Sequence, residues 1–402
     1  MNSSRARVKA AIARKPSSLP DRVPIDIGGM RSTGIMAIAY AKLKDHLGFS
    51  GGDTYIYDVT QQLALIEPEV RDRFGCDVIP LDGALMGGWD NYTMPNGKTA
   101  KICEGFRTEP DGQGGDFLLS ADGLRTHRRP ARSFYFDPIS FPLSSATCEA
   151  DLDRYPWGTF SDDFLSQLRT EAKRLHEETD YAVMGGFGGA FLEDGQFLRG
   201  WENFMMDLAG DPSFAEALLD RLLASHLRNV ELYLDAVGDY IDLIQMGGDL
   251  GTQQGPQIRP ELYNRLIQPR QRKLWSRIHE LAPQVAIFLH SCGAISELIP
   301  GIIDAGCDVL NPIQISAVGM EPERLKKLYG DKICFWGGGC DTQKVLPHCT
   351  AEEVYAHTRR NVEILKPGGG FVFCQVHNIQ ADVPPENIVA MYKAVRDAGS
   401  YS

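Results

Sequence analysis

The sequence lacks several features that define large classes of proteins. No apolar run approaches the roughly 20 residues that a membrane-spanning helix needs, and the basic start, residues 1–18, lacks the apolar core of a signal peptide. Acidic residues number 53 against 41 basic ones, giving a net charge of −12, which disfavours nucleic acid or an anionic membrane as a partner. The nine cysteines have no paired, disulfide-like spacing. These features predict a cytoplasmic protein whose cysteines are buried, catalytic or metal-bound.

Short apolar runs alternate with helical patterns along the chain, which predicts βαβ units around a parallel sheet. Because there are eight such runs, we expect an α/β protein with a (β/α)8 TIM barrel, and an open doubly wound sheet is the alternative. The predicted strands are Val23–Ile27, Asp77–Leu81, Tyr181–Gly185, Tyr240–Met246, Val285–Leu289, Val309–Asn311, Ile333–Trp336 and Phe371–Cys374.

The residues beyond the barrel predict an N-terminal extension and one insertion after an early strand. We expect a single domain over 1–402, with an N-terminal segment 1–22 that forms a short surface helix and an insertion 83–180. Asn96-Gly97 in the insertion is typical of a hairpin turn.

Helix boundaries are clearest in the second half of the chain. Asp211-Pro212 predicts the start of a helix that runs to about Val237, and Arg259–Leu281 carries an apolar stripe that Pro269 can kink. The capping box beginning at Thr350 and the Pro384-Pro385 pair predict the last two helices.

Polar side chains follow five successive predicted strands, and in a barrel the ends of the strands carry function. In chain order these residues are Asp249, His290, Cys292, Asn311, Cys340, Gln375 and His377. Since residues i and i+2 of extended chain point the same way, His290 and Cys292 can face one point at the mouth of the barrel.

Two thiols and an imidazole suit zinc better than magnesium or calcium. Cys340 arrives from two strands further round, so His290, Cys292 and Cys340 are candidate ligands with a fourth position open. The alternative is that these side chains are structural, because a free cysteine is commonly a small buried hydrophobe and a histidine at a strand end is often a hydrogen-bonded core residue.

The remaining polar residues leave alternatives open. Asp249 can be an acid or base, a substrate anchor, a fourth ligand or a helix cap. His377 has a catalytic and a structural interpretation, and Arg31 can hold an anionic group of a substrate or lie solvated in a loop.

Three segments together resemble the uroporphyrinogen decarboxylase superfamily, and the resemblance extends over nearly the whole chain from DRVPIDIGG. They are HSCGAISELIPGIIDAGCDVLNPIQ, GGDLGTQQGPQIRPELYNRLIQP and FCQVHNIQADVPPENIVAMYKAV. The superfamily fold is a (β/α)8 barrel, in agreement with the strand count. One branch is a metal-free decarboxylase with an arginine-rich loop near the N-terminus, where this chain has only GMRSTG and Arg31.

The other branch holds corrinoid-dependent methyltransferases, whose zinc is bound by a His-x-Cys pair and a distant cysteine. The resemblance therefore implies a zinc-dependent methyltransferase with Asp249 and His377 as catalytic residues. Arg31, Glu202, Asn311 and Gln375 are the candidate substrate-binding residues.

The resemblance implies a methyl donor that is a small methylated molecule, with a methoxylated aromatic preferred, and an acceptor corrinoid (cobalamin) carried by a partner protein. The alternatives are a methylcobamide:thiol methyltransferase of the coenzyme M type and a uroporphyrinogen-type decarboxylase. A homodimer is also expected, because members of the superfamily often pair.

Overall fold

A parallel sheet of seven strands forms the centre of the protein. The computed structural model describes residues 3–49, 52–81 and 87–401; residues 83–86 of the predicted insertion and 1–2 of the predicted N-terminal segment lie outside these ranges. The strands are β1 (Tyr55–Asp58), β2 (Leu63–Ala64), β3 (Val78–Pro80), β4 (Trp89–Thr93), β5 (Thr99–Cys103), β6 (Thr108–Pro110), β7 (Asp116–Leu119), β8 (Arg125–Arg129), β9 (Asp137–Pro138), β10 (Ala182–Gly188), β11 (Leu243–Met246), β12 (Ala286–His290), β13 (Val309–Asn311), β14 (Cys334–Trp336) and β15 (Phe371–Val372).

Helices follow most of the central strands. They are α1 (Ser4–Ala13), α2 (Ala37–Leu47), α3 (Pro68–Phe74), α4 (Glu149–Arg154), α5 (Asp162–Glu178), α6 (Leu192–Arg199), α7 (Trp201–Gly210), α8 (Pro212–Val237), α9 (Pro260–Leu262), α10 (Gln268–Leu281), α11 (Ile299–Asp304), α12 (Pro322–Tyr329), α13 (Val345–His348), α14 (Ala351–Leu365) and α15 (Pro385–Ala398). None of the helices in the described ranges is long and apolar enough to cross a membrane.

The central sheet curls into a barrel. Its strand order is β15-β14-β13-β12-β11-β10-β3, with parallel pairing throughout. An eighth segment lies between the two edges: Ile25 pairs in parallel with Phe373, and its carbonyl accepts a hydrogen bond from Asp77 N at 2.7 Å. All eight predicted strands are therefore present, and the TIM barrel is confirmed.

The predicted helix boundaries agree closely with the structure. The Asp211 side chain accepts a hydrogen bond from Phe214 N and caps α8, and Thr350 forms the capping box of α14. The stretch Arg259–Leu281 is helical, but a π-helical turn over Tyr263–Ile267 separates α9 from α10. The start of α15 at Pro385 is also confirmed.

The N-terminal helix α1 covers the bottom of the barrel, which corrects the prediction of a surface helix. Its Val8 and Ala11 are fully buried against inward-facing barrel residues, and Arg7 is only 7% exposed. The Arg7 guanidinium lies 2.5 Å from Oδ1 of Asp77, a fully buried residue that directly precedes β3. The three cations of this ten-residue helix predict a solvated face, but in the structure each of them pairs with a buried carboxylate, Asp77 or Asp242.

Two small sheets lie outside the barrel. One has the order β2-β1-β5-β4 and the other β6-β7-β8-β9. The predicted hairpin joins β4 to β5 with Gly97 at φ 82°, a left-handed conformation that favours glycine. The division of the chain into one domain with a terminal segment and an insertion stays a prediction.

Candidate active site

A cavity of about 960 Å³ opens at the carboxyl ends of the barrel strands. Barrel residues form one wall, and residues of β8, of β9 and of the segments beside β9 form the other. The barrel wall includes Gly186, Gly188, Gln245, Asp249, His290 and His377, and the outer wall includes Thr126, His127, Tyr135, Phe136, Pro138 and Pro142. The Tyr135 hydroxyl donates to Asn378 Oδ1 at 2.6 Å, which fixes the outer wall to the loop after β15.

Three ligand-type side chains meet at the barrel wall, and two of them, His290 and His377, line the cavity. One nitrogen each of His290 and His377 and the sulfur of Cys292 all lie within 4.8 Å of one another. The Cys292 Sγ to His290 Nε2 distance is 3.5 Å. A sulfur about 2.3 Å and a nitrogen about 2.05 Å from one tetrahedral zinc ion would be about 3.6 Å apart. This pair therefore fits a tetrahedral metal, with His377 as the third ligand.

The protonation state of His377 suits a cation, and that of Cys292 would change when a cation binds. Burial lowers the pKa of His377 to about 4, and the neighbouring His290 ring acts in the same direction, so the imidazole is neutral and free to bind a metal. Burial and then the charge of Asp249 raise the pKa of the Cys292 thiol well above its ordinary value. A divalent cation would stabilise the thiolate and reverse that effect.

Polar neighbours hold His290 in one orientation. Its Nδ1 lies 2.7 Å from Asn311 Oδ1, and Asn311 Nδ2 donates to Trp336 O at 3.0 Å. Because the amide oxygen can only accept, Nδ1 carries the proton and Nε2 faces the cluster with a lone pair. Asp249 Oδ1 accepts a hydrogen bond from Cys292 N at 2.8 Å and lies 3.7 Å from His290 Nε2. Asp249 thus fixes the backbone that carries the Cys292 side chain and places a carboxylate beside the cluster.

Cys340 does not join this cluster, contrary to the predicted ligand set. Two glycines after β14, Gly337 and Gly338, have φ of 91° and 77°, and they turn the chain sharply. Cys340 then runs beside the end of β15, with its carbonyl bonded to Val376 N, and its fully buried thiol lies beside Thr358 of α14. The Cys340 side chain therefore packs between the barrel and α14, and His377 instead lies close to His290 and Cys292.

Arg31 lies on the cavity wall, as the sequence predicts for a residue that binds substrate. Its Nε donates to Asp58 Oδ2 at 2.9 Å, while its side chain remains 65% exposed. Asp58 is itself fixed, since its Oδ1 accepts from Thr60 Oγ1 and from Gln61 N. A carboxylate held in this way orients the guanidinium toward an incoming anion.

The other three predicted substrate residues have different surroundings. Asn311 is 1% exposed and orients His290. Gln375 is fully buried, and its Nε2 donates to Thr33 O at 2.9 Å, which joins β15 to the turn that carries Arg31. Glu202 lies in the exposed first turn of α7 and is absent from the lining of the cavity. None of the three is placed to contact a ligand in the cavity.

Glu193 is a lining residue that the sequence reasoning missed. It lies in the first turn of α6, immediately after the glycine-rich end of β10. Burial first, and then the charges of Asp249 and Asp194, raise the pKa of Glu193 to about 7. The same rule that points to Asp249, a polar residue following a barrel strand, applies to Glu193 and could have found it.

Comparisons with known proteins agree with this architecture. The sequence profile of the family "Uroporphyrinogen decarboxylase (URO-D)" matches residues 144–398, which is more than half of the chain. A uroporphyrinogen decarboxylase from Thioalkalivibrio sulfidiphilus (strain HL-EbGR7) is 30% identical over 115 residues. That match covers 29% of this chain and only 30% of the relative.

A solved structure matches over the full length. A methyltransferase from Methanosarcina mazei aligns with a TM-score of 0.60 at 14% sequence identity, and the alignment covers 99% of both chains. At this identity the similarity establishes the fold alone. The family profile, together with the closed barrel, shows that this chain belongs to the uroporphyrinogen decarboxylase family.

Proposed function

We propose that the protein is a zinc-dependent methyltransferase that removes the methyl group of a methoxylated aromatic and passes it to a corrinoid carried by a partner protein. The observation that carries the proposal is the convergence of His290, Cys292 and His377 at a large cavity in the barrel mouth. A mixed nitrogen and sulfur set with three protein ligands is typical of catalytic zinc, which keeps a fourth position for water or substrate. When bound, zinc supplies a Lewis acid that polarises an ether oxygen.

The charge of the ligand set favours demethylation over alkylation of a thiol. Cys292 contributes the single negative charge, because His377 is neutral and His290 binds through its unprotonated Nε2. A site with one thiolate and a divalent ion stays positive, whereas a second thiolate such as Cys340 would neutralise it. A positive site suits the withdrawal of electrons from a departing oxygen, so the coenzyme M type of reaction is the second candidate.

The walls of the cavity suit an aromatic substrate. Tyr57, Tyr135, Phe136, Phe187 and Phe197 all line it and offer ring faces and edges for stacking. Arg31, oriented by Asp58, is placed to hold an anionic substituent of the ring. The protein's own contribution is to position the ring between these side chains with its methoxy group toward His290 and Cys292.

The uroporphyrinogen decarboxylase alternative has less support from the site. The N-terminal loop supplies Arg31 as its one arginine, where the decarboxylase branch has an arginine-rich loop. Two histidines and a cysteine in mutual reach have no evident role in a metal-free decarboxylation. We also propose a cytoplasmic location and a homodimer, in line with the family resemblance.

Methyl transfer and metal content test the proposal together. Purified protein supplied with chemically reduced cob(I)alamin and methoxylated benzoates should release the corresponding phenols, and it should contain one zinc per chain. His290→Ala, Cys292→Ser and His377→Ala should lose the zinc and the activity together. Cys340→Ser is the matched control and should keep both, since its thiol is buried away from the cluster.

Two outcomes would contradict the proposal. Decarboxylation of a uroporphyrinogen by metal-free protein, with no methyl transfer from any methoxyarene, would assign the decarboxylase reaction. Transfer of methyl groups only to a thiol would assign the second candidate.

A further inference from the structure

Three acidic residues line the cavity, and their surroundings differ. Asp137 lies exposed on β9. Asp249 Oδ1 accepts a hydrogen bond from Cys292 N and lies 3.7 Å from His290 Nε2. Glu193 is half-buried, forms no ion pair with a lysine or arginine in the described part of the chain, and accepts a hydrogen bond from the backbone of Asp249. Among these three residues, Glu193 is therefore the partly buried carboxyl group that has no ion pair with a lysine or arginine of the described residues.

The loss of a methyl group from an aryl ether leaves negative charge on oxygen, and a proton donor near that oxygen would speed the reaction. The sequence predicts Asp249 and His377 as catalytic residues, but in the structure both make other contacts. His377 is neutral and has a ring nitrogen in the ligand cluster, and Asp249 serves as an acceptor for the backbone beside Cys292. The cluster-facing nitrogen of His377 and the Asp249 oxygen that accepts from Cys292 N are therefore both used in other contacts.

Glu193 has the surroundings that a carboxylic acid donor needs. Burial raises its pKa to about 7, and the carboxylates facing it, Asp249 from the loop after β11 and Asp194 from its own helix, add to the effect. The Cys292 thiol is the further titratable group in its electrostatic range. Two carboxyl groups in one site with different surroundings commonly divide the acid and acceptor roles between them.

We propose that Glu193 is the catalytic acid that protonates the departing aryl oxygen, an assignment that rests on the proposed demethylation. In this step the methyl carbon–oxygen bond breaks and its electron pair stays on the oxygen. The proton of Glu193 moves to that oxygen, so the product leaves as a neutral phenol and Glu193 is left as a carboxylate. The methyl group passes to the partner's reduced cobalt(I) corrinoid, which provides the electron pair of the new bond, and solvent returns the proton to Glu193.

The test compares Glu193→Gln with wild-type protein across aryl methyl ethers whose phenols differ in acidity. Glutamine keeps the shape and the acceptor oxygen but has no acidic proton. We expect a loss of turnover of about 10²- to 10⁴-fold with an unactivated anisole, and a much smaller loss with 4-nitroanisole, whose phenolate is stable without a proton. Glu352→Gln, an exposed carboxyl in the first turn of α14 and absent from the lining of the cavity, is the matched control and should behave as wild type with both ethers.

A second measurement detects the proton on Glu193 directly and does not depend on catalytic activity. Infrared difference spectra of wild-type protein should show a protonated carboxyl group that titrates near the pKa of about 7 and is absent from Glu193→Gln. An equal loss of turnover with every ether, or no loss at all, would overturn the assignment while leaving methyl transfer by wild-type protein intact. The absence of transfer by wild-type protein would instead remove the proposed function, and the assignment with it.

Discussion

Replacing Asn311 with alanine should weaken zinc binding, although Asn311 does not touch the metal. The amide is 1% exposed, and its oxygen accepts from His290 Nδ1 at 2.7 Å while its nitrogen donates to Trp336 O at 3.0 Å and weakly to Cys374 Sγ at 3.9 Å. Its loss frees the imidazole to change tautomer and rotate. Partners of this kind change metal affinity by about 10- to 100-fold, which corresponds to about 1.4–2.7 kcal/mol.

The variant should also lose stability, because a buried carbonyl and a ring N–H lose their partners, at about 1–3 kcal/mol. Asn387→Ala separates the two effects. Asn387 is also 1% exposed and makes two hydrogen bonds, to Leu346 O at 2.9 Å and Cys349 O at 2.8 Å, at a distance from the cluster along the outer helices. Both variants should lose similar stability, and only Asn311→Ala should lose zinc affinity.

Competition with a chromophoric chelator measures the zinc dissociation constants, and chemical denaturation of the metal-free proteins measures the stabilities. If Asn311→Ala binds zinc as tightly as Asn387→Ala, the hydrogen bond between Asn311 and His290 has no influence on zinc binding, and the reasoning is refuted.

Three other predictions follow from buried ionisable groups. The raised pKa of the Cys292 thiol keeps the thiol protonated when no cation is bound. Zinc binding should therefore release a proton, and zinc affinity should fall as the pH is lowered. Calorimetry in buffers of different ionisation enthalpy measures the number of protons released. Arg7→Ala should lower the free energy of unfolding by about 1–3 kcal/mol, because the fully buried Asp77 keeps its ion pair with Arg22 but loses the one with Arg7. The half-exposed Lys9→Ala should change it by less than about 1 kcal/mol in denaturant titrations. Burial raises the pKa of Asp26 from 3.8 to about 6, so the folded state binds this proton more tightly than the unfolded state does. The free energy of unfolding should therefore fall by about 3 kcal/mol as the pH rises from about 4 to about 6. In Asp26→Asn the free energy of unfolding should change less over the same pH range.

The barrel was predictable because each strand is a short apolar run followed by a turn and a helix. Parallel strands covered on both faces leave that pattern in the sequence, and the capping residues Asp211 and Thr350 mark helix starts through local hydrogen bonds. The role of α1 was not predictable, because the buried carboxylates that pair with its cations, Asp77 and Asp242, lie at least 70 residues away along the chain.

The candidate site was predictable in part. His290 and Cys292 lie two residues apart on one strand end, so local geometry brings them together. The third ligand depends on how two separate loops turn, and the left-handed Gly337 and Gly338 direct Cys340 to the helix layer while the loop after β15 brings His377 inward. Glycine permits many turns, so the sequence alone does not distinguish these directions.

The most direct test of the account is X-ray absorption spectroscopy of the zinc-loaded protein. We expect a zinc shell with one sulfur at about 2.3 Å and two imidazole nitrogens at about 2.0–2.1 Å, unchanged in Cys340→Ser and short of one imidazole in His377→Ala. A shell with two sulfurs, one of them lost in Cys340→Ser, would contradict it.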